Sequence, residues 1–390
     1  MNLANMIFHS ESRFFAVILS GPAHPGDFGG RYGQSRPAHH DGGPLFLTQQ
    51  KDQTMNRRKF SAASLATVFA PLPQPALARR PAPALPGYQI AEISDGVLTT
   101  GFGGMATARS LVHGETLFQV ASCSKTVTAL AILTLVRDGV VALDQPASRY
   151  LRRWQMPGPR STTTTIAELL SHTAGTTVHG FDGYGPDEAL PGLLDVLNGQ
   201  HPANSDAIRT RRILMRHFRY SGGGTMVLHA LIEDVTGEGF SDYVTSQVLI
   251  PIGAPHASFA IRPDAALAHG QYENAQWVEG GFRRHPESAA AGLWATAADL
   301  ARIMQAVVQS LRGAEDALLP VDLAQRMVTP MAWRAGLGVF VNPGAIISHD
   351  GRNHGFDSIM TADLNTGDIR TAVTNRNGAI ESLVQKLVSL

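Results

Sequence analysis

The sequence predicts an α+β protein, with one antiparallel sheet built from both ends of the region 88–390 and an all-helical lobe formed by its middle. β-Favouring stretches occupy residues 88–108 and 337–374, near the two ends of this region. Segments with apolar residues at helical spacing lie between them. Terminal strands usually pair into one sheet, which the helices then cover. A functional site is expected where the sheet meets the helical lobe.

The first predicted strands form a hairpin or meander. Tyr88-Gln89-Ile90 and residues 96–100 are rich in β-favouring side chains. Asp95-Gly96 and Gly103-Gly104 interrupt them with residues typical of turns.

The first predicted helix covers residues 122–137. Apolar residues recur in it at helical spacing, and Asp138-Gly139 follows. Glycine is favoured just after a helix because it adopts left-handed backbone angles without strain. The segment 157–220 is punctuated by Pro and Gly, and it contains only short helical stretches such as residues 166–170.

Two further helices are predicted before the final strands, over residues 225–235 and 297–311. Thr296 and Asp299 have the spacing of a capping box at the start of the second of these. The predicted C-terminal strands cover residues 337–341, 345–348, 358–362 and 369–374.

Composition limits the kinds of partner that this chain can have. Its 390 residues are 44% hydrophobic and 16% charged, and 32 Lys and Arg balance 32 Asp and Glu. Proteins that bind nucleic acids or anionic membranes usually carry an excess of basic residues, and this chain has none, so neither is expected as a partner. The single cysteine excludes an intrachain disulfide, and no apolar run has the roughly 18–20 residues needed to span a bilayer.

The N-terminal region is predicted to be a processing segment rather than part of the fold. Residues 1–54 are interpreted as disordered or as lying upstream of the true start at Met55. Residues 55–78 have a charged head, a short apolar run and a small-x-small end, which are typical of a secretory signal. Residues 79–87 form a Pro/Ala linker, and residues 88–390 form the compact domain.

The paired arginines Arg57-Arg58, followed by Phe60, resemble a twin-arginine export signal. The predicted location is therefore the periplasm or another extracytoplasmic space. The alternative is a cytoplasmic protein, if Met1 is the true start.

The strongest chemical signal is Ser122-Cys123-Ser124-Lys125 at the start of the first helix. Residues three apart on a helix lie on nearly the same face, so Ser122 and Lys125 can share a proton. A buried lysine has a lowered pKa and can act as a base. The alternative for this short pattern alone is an ordinary solvent-facing pair.

Further motifs follow in order, and with Ser122-x-x-Lys125 they resemble the serine hydrolases of the class C β-lactamase type. This family also includes penicillin-binding D,D-peptidases, D-aminopeptidases and esterases. The matching segments are His172-Thr-Ala-Gly175, Tyr220-Ser-Gly222, Ala291-Gly-Leu-Trp-Ala-Thr296 and His349-Asp350-Gly351. The resemblance covers residues 88–390.

The resemblance implies an acyl-enzyme mechanism without a cofactor or metal. It implies that Ser122 attacks a carbonyl, that Lys125 takes its proton, and that Tyr220 relays a proton to the leaving group. The backbone N–H groups of Ser122 and of Arg352, which follows Gly351, are implied to form the oxyanion hole. His349 and Asp350 are implied to line the strand edge that holds the substrate.

Two departures from the family pattern favour esters or D-amino-acid-containing peptides over β-lactams. Gly222 stands where the family's Tyr-x-Asn motif has an amide side chain, and His349 stands where β-lactamases have lysine. A histidine is mostly neutral near pH 7 and binds a carboxylate less firmly.

The predicted function is an exported serine hydrolase that cleaves an amide or ester through an acyl-enzyme on Ser122. A D,D-peptidase, penicillin-binding protein or β-lactamase that acts on β-lactams is one alternative. A non-catalytic scaffold that binds cell-wall peptide is another. The substrate is a small molecule or a peptide-like compound, and the sequence leaves the oligomeric state open.

Other reactive residues receive structural interpretations. Cys123 is interpreted as a small buried residue, and His172 as a residue that stabilises its loop through a hydrogen bond. His349 and His354 have no third ligand nearby in the sequence, so no metal site is predicted. The four tryptophans are interpreted as core or cleft wall.

Overall fold

The structure, a computed structural model, describes residues 85–212, 217–261 and 264–383. Residues 1–54, the predicted signal at residues 55–78 and most of the predicted linker at residues 79–87 lie outside the described residues. The strands are β1 (Tyr88–Ser94), β2 (Val97–Gly103), β3 (Phe118–Gln119), β4 (Trp294–Ala295), β5 (Phe340–Asn342), β6 (Ile346–Asn353), β7 (Phe356–Asp363) and β8 (Ile369–Thr374). The helices are α1 (Ser124–Arg137), α2 (Ile166–Leu170), α3 (Leu193–Asn198), α4 (Gly222–Thr236), α5 (Phe240–Val244), α6 (Ser288–Ala291), α7 (Ala297–Arg312) and α8 (Val321–Met327).

A six-stranded antiparallel sheet joins the two ends of the domain. The strand order is β2-β1-β8-β7-β6-β5. Strand β1 pairs with β8 from Tyr88 opposite Thr374 to Ile93 opposite Ile369. The prediction of one antiparallel sheet built from both chain ends is confirmed.

Helix α7 covers the sheet by packing against β1, β7 and β8. Its capping box is present, since Thr296 accepts the N–H of Asp299 and the Asp299 carboxylate accepts the N–H of Thr296. The helix ends at Gly313, which has a φ of 65°. These signals explain why the predicted and observed bounds of this helix agree within one residue.

Helix α1 lies at the centre of the helical lobe, where it packs against α4, α5 and α6. Twelve of its 14 residues are buried. Its buried threonine hydroxyls all find carbonyl acceptors, because a buried polar group without a partner is costly. Thr126 donates to the carbonyl of Gly338 at 2.7 Å, and Thr128 donates to that of Ala289 at 2.9 Å.

The start of the first helix differs from the prediction. Ala121–Cys123 forms a separate 3₁₀ turn, and the α-helix begins at Ser124. Ala121 has a φ of 47°, so the backbone changes direction just before Ser122. This turn, rather than the helix proper, carries Ser122.

Several short elements have no counterpart in the sequence prediction. They are α3, α5, α6, α8 and the two-stranded pair β3–β4. Each is too short to produce a recognisable hydrophobic period. Within the described ranges, no helix combines the length and apolarity needed to cross a bilayer.

Candidate active site

Ser122 lies in the turn that precedes α1, and its side chain faces that of Lys125 in the first turn of α1. The Lys125 Nζ atom lies 3.0 Å from the Ser122 Oγ atom. It also donates to the carbonyl of Ala290 in α6, at 2.7 Å. These two contacts hold the amine against the serine hydroxyl.

The environment of Lys125 favours its neutral form. The side chain is buried in the helical lobe, and burial lowers its pKa from 10.5 to about 7. Weaker interactions with Cys123 and Asp350 act in the opposite direction. A large part of the population therefore carries a neutral amine near pH 7, and a neutral amine can accept a proton from Ser122.

The turn that carries Ser122 is fixed from the α6 side. Ser124 donates to the carbonyl of Ala121 and accepts the N–H of Leu293 at 3.0 Å. The N–H of Val120 donates to the carbonyl of Leu293 at 3.0 Å. Local and long-range hydrogen bonds thus fix the backbone on both sides of the hydroxyl.

Strand β6 passes directly over this turn at Gly351. A Cβ atom at this position would lie 2.2 Å from the Val120 carbonyl oxygen and 2.9 Å from the Ser122 nitrogen. Only glycine allows this close approach, which brings the backbone of residues 351–352 beside the Ser122 amide.

Cys123 is buried beneath the same strand. Its Sγ atom lies 3.3 Å from the Ser358 hydroxyl and 3.7 Å from the His349 carbonyl oxygen. Burial raises the pKa of the thiol to about 12, so it stays protonated. The side chain acts as a packing residue, as the sequence suggested.

Tyr220 lies on the other side of Lys125. The Lys125 Nζ atom is 5.0 Å from the centroid of the Tyr220 ring. The rings of His172 and His179 lie 4.4 and 5.1 Å from the same ring, centroid to centroid. Burial lowers the pKa of both histidines, and the Lys125 charge adds to this effect. Tyr220 therefore sits among rings that favour their neutral state.

His172 holds the segment that carries Tyr220. Its carbonyl accepts the N–H of Arg219 at 2.8 Å, and its Nδ1 atom accepts the N–H of Ser221 at 3.3 Å. These bonds flank Tyr220 on both sides. The predicted structural role of His172 thus corresponds to the observed geometry.

A buried ion pair supports the backbone that leads to His172. Glu168 accepts two hydrogen bonds from Arg160, at 2.9 and 3.0 Å, and it completes the capping box of α2 with Thr165. Arg160 also donates to the carbonyl of Ala174 at 3.0 Å. The loop after α2 is therefore fixed before it reaches the site.

His349 lies on β6 beside Tyr220, and its side chain is neutral. Its Nδ1 atom lies 2.7 Å from the Asp350 carbonyl oxygen, which can only accept, so the proton is on Nδ1. Burial lowers its pKa to about 3, with a further contribution from Lys125. The Nε2 atom has no hydrogen-bond partner among the described residues. This histidine cannot supply the positive charge of a lysine.

Asp350 and Arg352, on either side of the buried Gly351 in β6, are exposed. Arg352 pairs with Asp357, with Nε 2.8 Å from Oδ1. Asp350 forms no salt bridge with the described part of the chain, and its charge acts on Lys125.

Gly222 opens α4 in a tight space. A Cβ atom there would lie 3.0 Å from the Phe181 ring and 3.2 Å from the His179 carbonyl oxygen. A side chain at this position would require its neighbours to shift by a few tenths of an ångström.

The structure brings Ser122, Lys125, Tyr220, His349 and Gly351 together, while Asp350 and the side chain of Arg352 remain at the outer edge. Sequence reasoning missed the Ala290 carbonyl, because any residue can supply a backbone acceptor. It also missed His179 and Phe340, whose rings lie near Tyr220 only after folding.

Among the described residues, no group of three or more His, Cys, Asp or Glu side chains is placed to hold a metal ion.

The chain combines an antiparallel sheet and a helical lobe with a Ser-x-x-Lys turn between them. Together these features define a class of proteins. The chain matches the family described as Beta-lactamase over residues 69–387, and it belongs to that family.

Two curated relatives illustrate the range of this family. The chain is 26% identical over 327 residues to Unguisins hydrolase ungD of Aspergillus violaceofuscus (strain CBS 115571), covering 70% of this chain and 55% of the relative. It is 29% identical over 152 residues to Esterase EstB of Burkholderia gladioli, covering 37% and 39% of the two chains. The chain thus spans about half the length of these curated relatives or less.

Two solved structures share the fold. The octameric penicillin-binding protein homologue from Pyrococcus abyssi has a TM-score of 0.63 at 22% identity, over 77% of this chain and 72% of the other. The D-amino acid amidase from Ochrobactrum anthropi SV3, complexed with L-phenylalanine amide, also has a TM-score of 0.63, at 21% identity over 78% and 90%.

Proposed function

We propose that this protein is a serine hydrolase that cleaves an ester or amide through an acyl-enzyme on Ser122. The observation that carries this proposal is the buried Lys125 amine, 3.0 Å from the Ser122 hydroxyl and with a pKa lowered to about 7. Membership of the Beta-lactamase family, and relatives named as an esterase and a hydrolase, support it.

In the first step, Ser122 attacks the substrate carbonyl as Lys125 accepts the hydroxyl proton. The negative charge that develops on the carbonyl oxygen is stabilised by the backbone N–H groups of Ser122 and Arg352. Fixed donors of this kind are important because the loss of one can cost about 10²–10³ in rate.

In the second step, Tyr220 passes a proton to the leaving group as the bond to the carbonyl carbon breaks. The Lys125 Nζ atom lies 5.0 Å from the centroid of the Tyr220 ring, and in this proposal the proton taken from Ser122 passes from Lys125 to the phenol. Water then attacks the acyl carbon, and its proton passes through Tyr220 and Lys125 to Ser122. The bond to Ser122 breaks, which releases the carboxylic acid product and restores the serine hydroxyl.

The substrates that we propose are esters or D-amino-acid-containing peptides rather than β-lactams. The neutral, buried His349 offers no positive charge to the carboxylate of a β-lactam, and Gly222 offers no side-chain amide. The relative named Esterase EstB and the fold neighbour described as a D-amino acid amidase are consistent with these two classes.

Intact-protein mass spectrometry of the full chain tests this proposal. The protein is mixed with a p-nitrophenyl ester and, separately, with a chromogenic cephalosporin. We expect ester turnover with an acyl adduct on Ser122, and little reaction with the cephalosporin. A persistent cephalosporin adduct would instead indicate a penicillin-binding protein, and rapid release of both cephalosporin products would indicate a β-lactamase. No adduct with either compound would indicate a binding scaffold.

We also propose that the protein is exported through a twin-arginine signal at residues 55–78. The arginine pair, the short apolar run and the Ala-x-Ala end support this proposal. Fractionation of cells that express the full chain tests it. A periplasmic form that begins near Arg79 is the expected result, and a full-length cytoplasmic form that is unchanged by an Arg57→Lys/Arg58→Lys double substitution would contradict it.

A further inference from the structure

Three aromatic side chains form a continuous surface beside Tyr220. This aromatic rim consists of Phe218, Trp333 and Phe340. The Phe218 and Trp333 ring centroids are 4.9 Å apart, and Phe340 lies 5.8 Å from each of them. Phe218 lies more than 100 residues before Trp333 and Phe340 in the sequence, so only the fold brings it to the other two rings.

Trp333 is the outermost member and is unusually exposed. Its relative exposure is 54% and its φ is 50°, a conformation that bulky residues rarely adopt. The Arg334 guanidinium lies over the Trp333 ring, 5.5 Å from its centroid. An exposed ring held in a strained backbone is a feature that binding sites commonly show.

Phe340 connects the aromatic rim to the candidate active site. Its ring is stacked with Tyr220 at a centroid distance of 6.4 Å, and it lies 5.3 Å from the His349 ring. His349 is neutral, so the inner end of the rim carries no fixed charge. The surface from Tyr220 to Trp333 is therefore aromatic along its length.

The position of Tyr220 decides which part of a substrate lies against this surface. In the proposed function, the Tyr220 phenol donates a proton to the leaving atom. That atom must come within hydrogen-bond distance of the phenol, so the remainder of the leaving group extends on the Tyr220 side. The carbonyl oxygen points toward the amides of Ser122 and Arg352 instead.

We propose that the aromatic rim is a leaving-group subsite that selects substrates with an apolar, preferably aromatic, alcohol or amine. This inference rests on the proposed function. Stacking on aromatic faces and burial of apolar surface supply the affinity. Trp333 supplies the exposed outer face of the subsite, and Phe218 and Phe340 supply its inner part.

The same subsite must accept an incoming nucleophile, since acyl transfer is the reverse of leaving-group departure. An aromatic alcohol bound there attacks the acyl carbon of the acyl-enzyme. Its hydroxyl proton passes to Tyr220 as the phenol proton passes to Lys125, and a new ester bond forms. Lys125 then returns this proton to Ser122 as the bond between Ser122 and the acyl carbon breaks. An aromatic alcohol should therefore compete with water better than a polar alcohol of similar acidity.

Two acetate esters test the proposal because they produce the same acyl-enzyme. Benzyl acetate has an aromatic leaving group, and 2-methoxyethyl acetate has a polar one of similar acidity. For the full chain we expect kcat/KM to favour the benzyl ester at least tenfold. The Trp333→Ala substitution should reduce this preference about tenfold, and Trp333→Phe should retain most of it.

Trp277→Ala is the matched control, because Trp277 is half-buried and lies outside the aromatic rim. It should leave the ratio of the two kcat/KM values unchanged. The acyl-enzyme can also be offered benzyl alcohol and 2-methoxyethanol together as acceptors. The ratio of benzyl acetate to 2-methoxyethyl acetate formed should then change among the variants in the same way as the ratio of the kcat/KM values.

The outcomes separate this inference from the proposed function. Turnover of both esters with an equal ratio in wild type and Trp333→Ala would overturn the subsite and leave the acyl-enzyme mechanism intact. Failure of a fluorophosphonate probe to label Ser122, together with no turnover of either ester, would overturn both. A ratio reduced equally by Trp277→Ala would also overturn the subsite, since the effect would then be general.

Discussion

The turn that carries Ser122 and the aromatic rim lie on two sides of one site, and they are built differently. The turn is fixed by hydrogen bonds from buried groups, including those of Ser124 and Lys125. The rim is held by ring contacts and is partly open to solvent at Trp333. In the proposed function, this difference predicts that the chemistry depends on the fixed geometry of the turn, whereas substrate choice depends on the side chains of the rim.

Ser122→Ala should have the largest effect on activity. Removal of the hydroxyl removes the nucleophile, so we expect kcat/KM for a p-nitrophenyl ester to fall at least about 10⁴-fold, as for other nucleophile deletions. Stability should change little because Ser122 is only half-buried. Cys123→Ala is the control and should keep fluorophosphonate labelling. If Ser122→Ala were labelled as well as wild type, Ser122 would not be the nucleophile.

Lys125→Met should reduce activity about 10³-fold and should also stabilise the fold. The native pKa of Lys125 is about 7 and the ordinary value is 10.5. Between these values the unfolded chain holds a proton that the native chain lacks, so wild-type stability rises with pH over this window. Below about pH 7 the full cost of burying the amine is present.

Each pKa unit corresponds to about 1.4 kcal/mol, and lost hydrogen bonds offset part of the gain. Lys125→Met should therefore raise the free energy of unfolding at pH 7 by about 3 kcal/mol, measured by urea denaturation. The gain should shrink as the pH approaches 10. A loss of stability at pH 7 would show that the amine is not a buried strained base.

The pH dependence of acylation should report the same lysine. Below pH 7 the protonated amine cannot accept the Ser122 proton, so kcat/KM for a neutral ester should fall about tenfold per pH unit. Between pH 7 and 5 the total fall should be about fiftyfold, because half of the amine is already protonated at pH 7. Asp350→Asn should shift the midpoint slightly lower, because the Asp350 charge raises the pKa of Lys125. A flat profile from pH 5 to 8 would exclude Lys125 as the base.

Glu168→Gln tests the fixed scaffold behind Tyr220. It leaves Arg160 without its carboxylate partner in a largely buried position, so the free energy of unfolding should fall by about 3 kcal/mol. Glu92→Gln is the matched control, since Glu92 pairs with Arg370 near the surface and should lose less than about 1 kcal/mol. Equal losses in the two variants would show that the buried pair has no special role.

His349→Lys should have the smallest effect, because it changes recognition and leaves the nucleophile intact. A cation at this position should attract the carboxylate of a β-lactam and raise the second-order rate of penicillin acylation about tenfold. The acylation rate with a neutral ester should change less. A parallel change with both compounds would show that charge at residue 349 does not determine substrate class.

The sequence predicted the central features of the fold because they depend on local signals. The capping box at Thr296 and the glycines after α1 and α4 set helix ends through backbone geometry. The spacing of Ser122 and Lys125 brought the two side chains together through one helical turn. The short helices α3, α5, α6 and α8 were missed because their stability comes from packing rather than from their own pattern.

The sequence by itself determined the α+β architecture, the pairing of the terminal strands and the identity of the Ser122–Lys125 pair. The hydrophobic period, the turn residues and the spacing of Ser122 and Lys125 each depend on a few neighbouring residues, so they can be recognised in the sequence. Only the tertiary structure decided the state of Lys125 and the surroundings of Tyr220. The Ala290 carbonyl lies 165 residues from Lys125 in the sequence, and Trp333 and Phe340 lie more than 100 residues from Tyr220. Desolvation of the Lys125 amine is likewise a property of the packed chain.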